Sequence, residues 1–160
     1  MKATMETLRR FRRLSRSEQR VVLESAAALA ATWVGLRAAG FRRWEAVLDS
    51  LAPSKASSNT AAADSSMIDS ARMIGRMESA AARHLFFRVN CLEQSLVLRW
   101  LLRRRGIAAE LRFGARKEAN SFEAHAWVEF GGTVLNDTGD THLHFVPFDG
   151  AITSMETQIR

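Results

Sequence analysis

The first half of the chain repeats apolar residues at helical spacing. Ser15, with Glu18 three residues later, forms a capping-box pattern, and the alanine-rich run that follows predicts a long helix ending near Gly40. The same spacing predicts a shorter helix over residues 41–51 and an amphipathic helix over residues 67–85. The first two helices would form a helical hairpin, which either packs on the rest of the protein or offers a docking platform.

A fourth predicted helix carries signals at both ends. Asn90 with Glu93 forms a second capping-box pattern, and Gly106 suits the position just past a helix end, so we predict a helix over residues 91–105. Its apolar residues cover more than one stripe: Leu92, Leu96, Val97, Leu98, Trp100, Leu101 and Leu102. Burial on most sides follows, so this should be the central helix.

After Gly106 the apolar period changes from helical to alternating, which is typical of strands. The alternation predicts four strands, at residues 107–114, 122–130, 133–136 and 142–146. The polar residues 116–121 should form a loop. On the second strand, His125, Trp127 and Glu129 lie on a polar and aromatic side, opposite the apolar one. The element order predicts an α+β fold.

The turn after the second strand decides whether Asp137 can meet His125. With a loop of only two glycines, Asp137 would fall opposite Ala126, on the wrong side of the ribbon. A three-residue connection over residues 130–132 would place Asp137 opposite His125. We therefore predict that bulged connection, or an equivalent irregularity at Asn136 and Asp137.

Composition divides the chain into three parts. Residues 1–51 form the helical hairpin, and residues 67–160 form a candidate catalytic core. Residues 52–66 are rich in Ala, Ser, Asn and Asp and include Pro53, which predicts a flexible linker. We expect the hairpin and the core to form one compact unit.

Overall composition is that of an ordinary globular protein. The chain has 160 residues, of which 47% are hydrophobic and 25% charged. One cysteine excludes an intramolecular disulfide, and no secretory signal is visible, so a cytoplasmic location is predicted. The most apolar run, residues 25–36, is too short to cross a bilayer, so no membrane span is predicted.

The net charge of +6 and the pI near 10.9 suit an anionic partner, which could be nucleic acid, anionic lipid or an acidic peptide. The arginines at 103–105 would end a helix, and they lack the interleaved aromatic residues of a single-strand binder, so no nucleic-acid partner is predicted. There is no Walker-type phosphate loop, and no cofactor is predicted.

The order Cys91, His125, Asp137 supplies the three groups of a thiol hydrolase: a nucleophile, its base and an orienting carboxylate. Cys91 opens the predicted central helix, where unpaired amides favour a reactive thiolate. Against this, a lone cysteine is often only a small buried apolar residue, and an aspartate after a hairpin is common for local reasons. The combined pattern outweighs these alternatives.

Several further residues are candidates for the site. The backbone amide of Cys91 would donate to an oxyanion, with Asn90 and Gln94 as candidates for a second donor or for orientation. Trp127 could shield the imidazole, line a substrate groove or simply pack. His142 and His144, with Asp140, could bind zinc, but with no second cysteine and no helical His-Glu pair, no metal is predicted.

Four motifs together resemble the lasso-peptide leader peptidases, a family of transglutaminase-like cysteine proteases. They are Asn90-Cys91-Leu92-Glu93-Gln94-Ser95-Leu96, Leu101-Leu102-Arg103-Arg104-Arg105-Gly106-Ile107, Leu111-Arg112-Phe113-Gly114 and Ala124-His125-Ala126-Trp127-Val128-Glu129. The resemblance implies a transglutaminase-like or papain-like core, in which a helix carrying the cysteine packs on a small antiparallel sheet. The family's Cys, His and Asp fall on Cys91, His125 and Asp137.

The resemblance also implies a substrate and partners. The substrate would be a ribosomal precursor peptide, cut between leader and core, after which a separate ATP-dependent lasso cyclase closes the ring. Fused relatives carry a leader-recognition domain of mixed sheet and helices, whereas only helices are predicted before the catalytic part here. The resemblance therefore implies a separately encoded leader-recognition protein.

Two other functions use the same residues. An acyl transferase would resolve the acyl-enzyme with an amine in place of water, as transglutaminases do. A peptide-binding module that has kept the fold would need no nucleophile at all.

Overall fold

The computed structural model describes residues 11–52, 65–118, 121–137 and 141–148, together with residues 6 and 9. Its helices are α1 (Arg16–Ala39), α2 (Phe41–Ser50), α3 (Ser65–His84) and α4 (Cys91–Arg103). Its strands are β1 (Glu110–Glu118), β2 (Ser121–Phe130), β3 (Thr133–Val134) and β4 (Val146–Pro147), with a 3-10 turn at Thr141–His144.

The helix boundaries follow their capping residues. At α1 the Ser15 side chain accepts from the Glu18 amide while the Glu18 carboxylate accepts from the Ser15 amide, and Asn90 and Glu93 form the same reciprocal pair at α4. Each pair satisfies two backbone donors that a helix start would leave free. Gly40, with a φ of 78°, separates α1 from α2. The four predicted helices are confirmed.

Helix α4 lies at the centre of the fold. Leu92 and Trp100 are half-buried, and its other apolar residues are buried: Leu96, Val97, Leu98, Leu101 and Leu102. One core cluster joins Val97, Leu98, Leu101 and Leu102 of this helix to Val21 and Leu29 of α1, Ile74 of α3, and Val128 and Phe130 of β2. The predicted α+β class, with a cysteine-bearing helix on a small antiparallel sheet, is confirmed.

The sheet has the strand order β3-β2-β1-β4, and every neighbouring pair is antiparallel. Strand β1 lies further along the chain than the alternation predicts. Ile107 donates to Leu102 and closes the helix end instead of entering the sheet, while Arg116 faces Glu123 in register and pairs with it at 2.7 Å. The predicted loop over 116–121 is therefore wrong at residues 116–118 and 121, because cross-strand pairing holds these polar residues in the ladder, while residues 119 and 120 lie outside the described part of the chain.

The β2–β3 connection has two residues, since Phe130 faces Thr133 in register. Gly131 and Gly132 both have positive φ, 55° and 72°, which suits a two-residue turn of the primed type. The predicted three-residue connection is wrong. The alternative irregularity is present, because β3 ends at Val134 and the chain bends away from the ladder before it reaches Asp137.

Two other predicted boundaries change. The predicted strand over 142–146 is a 3-10 turn followed by β4, because the Phe145 amide turns back to the His142 carbonyl. Helix α3 begins at Ser65, two residues before the predicted helix start at residue 67. Residues 53–64 of that linker and residues 149–160 lie outside the described part of the chain, and the division into three parts stays a prediction.

Helix α1, with 24 residues and a mean hydropathy of 1.3 over its most apolar window, is long and apolar enough to cross a bilayer by length and composition alone. The apolar run over residues 25–36 is only part of this helix, which begins at Arg16. Core helices of globular proteins meet the same criterion. Here the inner residues of α1, which include Val21, Ser25 and Leu29, are buried in the core, whereas Leu23 and Val34 are exposed.

Glu78 of α3 is a carboxyl group inside this core. It has no exposed surface, its Oε1 has no hydrogen-bond partner in the described part of the chain, and Oε2 accepts only a long bond of 3.4 Å from Ser79. Burial raises the pKa of Glu78 from 4.5 to about 8. Glu78 is therefore protonated in the folded protein at neutral pH.

We predict that Glu78→Gln stabilises the protein increasingly as the pH rises from 4.5 to about 8. In this interval the unfolded chain ionises Glu78 and the folded protein does not, so wild-type stability falls as the pH rises, by up to a few kcal/mol in all. Denaturant unfolding at several pH values measures the difference. Asp69→Asn, at an exposed position of the same helix, is the control. A constant difference between Glu78→Gln and wild type across this range would contradict the prediction.

Candidate functional site

Cys91 is the first residue of α4 and is a half-buried free thiol. The Asn90 side chain accepts from the Glu93 amide at 2.9 Å and caps the helix directly before it. Glu93 is buried, and its Oε1 accepts from Arg37 of α1 at 2.8 Å. The Arg37 guanidinium also lies over the Trp33 ring, 4.1 Å from its centroid. The start of α4 is thus anchored to α1.

Ser95, one turn along α4 from Cys91, joins this helix to the sheet. Its hydroxyl donates to the Ala126 carbonyl of β2 at 3.0 Å and accepts from the Asn136 amide at 2.8 Å. The Asn136 Oδ1 in turn accepts from the Val128 amide at 2.9 Å. These three bonds link α4, which carries Cys91, to the strand that carries His125 and to the segment that leads to Asp137.

His125 lies in β2 opposite Gly114 of β1. Its ring stacks on Trp127, with centroids 5.9 Å apart and planes 21° apart, and Phe145 lies 5.1 Å from it. A Cβ at Gly114 would lie only 2.9 Å from Trp127 and 3.0 Å from Phe145. Glycine is therefore needed at this position for the aromatic residues to enclose the imidazole.

Asp137 approaches His125 after the chain has left the ladder. Its side chain is 5% exposed, and its Oδ1 lies 3.8 Å from His125 Nε2. That nitrogen is buried and has no hydrogen-bond partner among the described residues. The separation exceeds a hydrogen bond by less than 1 Å, which is common for catalytic pairs before substrate binds.

The other oxygen of Asp137 is held by His142, a residue whose role the sequence left open. Asp137 Oδ2 accepts from the His142 backbone amide and lies 2.8 Å from its ring Nδ1. The sequence offers His142 as a zinc ligand with His144 and Asp140, but no group of three possible ligands occurs among the described residues, which do not include Asp140. An aspartate followed five residues later by a histidine is too common a pattern to have indicated this contact.

The remaining sequence candidates differ in what they can offer. Trp127 is 2% exposed and donates to Glu129 at 2.6 Å, so it packs beneath the imidazole and has almost no surface for a ligand. The Asn90 side chain is committed to the helix cap. Gln94 is half-buried one turn into α4.

The fold and the position of the cysteine at a helix start agree with a match over residues 33–148 to the transglutaminase-like superfamily. The chain belongs to this superfamily. The match covers helices α2 to α4, the whole sheet and every residue of the candidate site.

A shorter stretch is similar to the microcin J25-processing protein McjB of Escherichia coli, at 43% identity over 51 residues. That stretch is 32% of this chain and 24% of McjB, so the chain matches about a quarter of its relative's length. No solved structure matches. The two matches confirm the resemblance drawn from the motifs of this transglutaminase-like protein.

Because Asn136 bonds to both Ser95 and Val128, we predict that Asn136→Ala destabilises the protein by about 1–3 kcal/mol, the cost of leaving the buried Val128 amide without a partner. Ser95→Ala should cost less, because the Val128 amide keeps its acceptor. Denaturant unfolding of the two variants measures both losses. Equal losses of unfolding free energy in the two variants would contradict the prediction, because they would show that the unpaired Val128 amide is not the main cause of the destabilisation.

Proposed function

We propose that this protein is a cysteine endopeptidase that removes the leader from a ribosomal lasso-peptide precursor, with Cys91, His125 and Asp137 as its catalytic residues. The observation that carries the proposal is the approach of the buried Asp137 carboxylate to His125, on a strand that is bonded to the Cys91 helix through Ser95. The superfamily match and the similarity to a microcin-processing protein support the same chemistry.

In the proposed reaction, His125 takes the proton of Cys91 and the thiolate attacks the scissile carbonyl carbon. The backbone amide of Cys91 donates to the oxyanion, and Gln94 is the better placed candidate for a second donor because Asn90 is committed to the cap. The intermediate collapses, and His125 protonates the leaving amine. Water then hydrolyses the thioester and restores the thiol.

Asp137 orients the imidazole in this mechanism. Oδ1 faces Nε2, so a proton on Nε2 leaves Nδ1 as the nitrogen that accepts from the thiol. Asp137 also stabilises the imidazolium that forms during attack. The stacked Trp127 ring restricts rotation of the imidazole.

The proposed substrate is a precursor peptide whose leader is held by a separately encoded leader-recognition protein. The similarity to McjB supports a peptide-processing pathway, in which an ATP-dependent lasso cyclase would use the freed core peptide. The net charge of +6 is compatible with an acidic peptide. Binding of the leader by the partner would raise the effective concentration of the cleavage site near Cys91.

We predict that Cys91→Ala abolishes cleavage of the cognate precursor while the protein stays folded. His125→Ala should lower kcat by on the order of 10³-fold or more, because neither the thiol nor the leaving amine would then have a proton-transfer partner. Mass spectrometry of the products measures cleavage, and circular dichroism checks folding. Cleavage at the wild-type rate in the presence of the Cys91→Ala variant would contradict the proposal, because Cys91 would then not be the nucleophile.

We predict that the isolated chain cleaves the precursor slowly and that the recognition protein accelerates cleavage at least tenfold, roughly the gain expected when a binding step becomes intramolecular. A leaderless peptide that spans the cleavage site is the control, since the partner should not accelerate its hydrolysis. Full activity without the partner would contradict this part of the proposal.

The superfamily name makes an acyl transfer the second candidate function. Adding a primary amine to the same reaction separates the two. A hydrolase releases a free carboxylate, whereas a transferase releases the amide of the added amine, and the two products differ in mass. An amide as the main product would replace the peptidase proposal.

A further inference from the structure

Two histidines contact one buried carboxylate, and the proposed mechanism uses only one of them. Asp137 Oδ1 faces His125, while Oδ2 lies 2.8 Å from Nδ1 of His142 and accepts from the His142 backbone amide. The side chain of Asp137 is only 5% exposed. Both oxygens are thus directed by protein groups, and His142 makes the closer contact.

The direction of the His142 bond follows from its chemistry. An ionised carboxylate can only accept a hydrogen bond, so Nδ1 of His142 carries a hydrogen and donates a hydrogen bond to Asp137 Oδ2. With two donors from one residue on Oδ2, the carboxylate cannot rotate about its Cβ–Cγ bond without breaking both. Oδ1 is thereby kept on the side of His125.

His142 is itself held in place. Its residue lies in the 3-10 turn Thr141–His144, where the Phe145 amide donates to its carbonyl at 3.1 Å. Its ring lies 6.0 Å from that of Trp127, which also stacks on His125. Phe145, directly after the turn, contacts the His125 ring. The turn therefore contacts both members of the Asp137–His125 pair.

We propose that His142 is a positioning residue: its Nδ1–H holds the Asp137 carboxylate in the orientation that directs His125 towards Cys91. This inference rests on the proposed function for its role in turnover. The arrangement itself requires only that Cys91 and His125 exchange a proton, which can be measured without a peptide substrate.

A pair of substitutions tests the donor position. His142→Asn keeps an N–H close to the place of Nδ1, since both atoms lie two bonds from Cβ. His142→Gln moves its N–H one bond further from the backbone, away from Oδ2. Both replacements are polar and smaller than or similar to histidine. His144→Asn, two residues on in the same turn and exposed, is the matched control.

The first readout is the rate at which iodoacetamide alkylates Cys91 between about pH 5 and about pH 9, followed by intact mass. Cys91 is the one cysteine of the sequence, so every alkylation reports on it. We expect His142→Gln to slow alkylation at neutral pH by about tenfold and to change the shape of the pH profile as Asp137→Asn does, because a misdirected carboxylate no longer orients the base. His142→Asn and His144→Asn should follow the wild-type profile.

The second readout is precursor cleavage. His142→Gln should lower kcat and leave KM within about twofold. His142 contacts Asp137, so the substitution should weaken proton transfer in the transition state without changing how tightly the substrate binds. A changed alkylation profile without any peptide cleavage would support the role of His142 and reject the proposed substrate.

Three results would overturn the inference. One is that His142→Gln keeps the wild-type alkylation profile while Asp137→Asn changes it. Another is equal slowing by His142→Asn and His142→Gln, which would show that the position of the donor does not matter. The third is a wild-type profile for Asp137→Asn itself, which would also remove Asp137 from the proposed mechanism.

Discussion

The structure depends on one small hydrogen-bond network between the central helix and the sheet. Ser95 bonds to the Ala126 carbonyl and to Asn136, and Asn136 bonds to the Val128 amide. All of these groups are buried or half-buried, so each bond also satisfies a polar atom that would otherwise be costly inside the protein. Cys91, His125 and Asp137 each lie within four residues of a member of this network, so it ties together the three elements that carry them.

The helices could be predicted closely from the sequence because their signals are local. A capping box needs only residues three apart, and the pairs Ser15–Glu18 and Asn90–Glu93 form as expected. The class of the fold and the candidate residues Cys91 and His125 follow from such local patterns. Four consecutive residues, 90–93, are enough to predict that the cysteine lies at a helix start.

The approach of Asp137 could not be derived in the same way. Facing residues in a regular ladder share a side, and that rule requires either a longer turn or an irregularity at Asn136 and Asp137, without saying which of them occurs. The protein instead keeps the two-glycine turn and ends β3 after Val134, so that tertiary bonds of Asn136 replace ladder pairing. The contact of His142 with Asp137 could not be predicted either, because it depends on the tertiary position of a turn. The Phe145 amide closes that turn on the His142 carbonyl, and Phe145 packs against His125.

The short β2–β3 turn limits where residues can be inserted in this hairpin. Leu135 still bonds to the Val128 carbonyl, so the chain is tied to the sheet two residues before Asp137. An inserted residue that shifted the β3 register against β2 by one position would turn the Leu135 amide away from the Val128 carbonyl and move the point from which the chain reaches Asp137. The hairpin therefore tolerates added residues only where the pairing of Phe130 with Thr133 is kept.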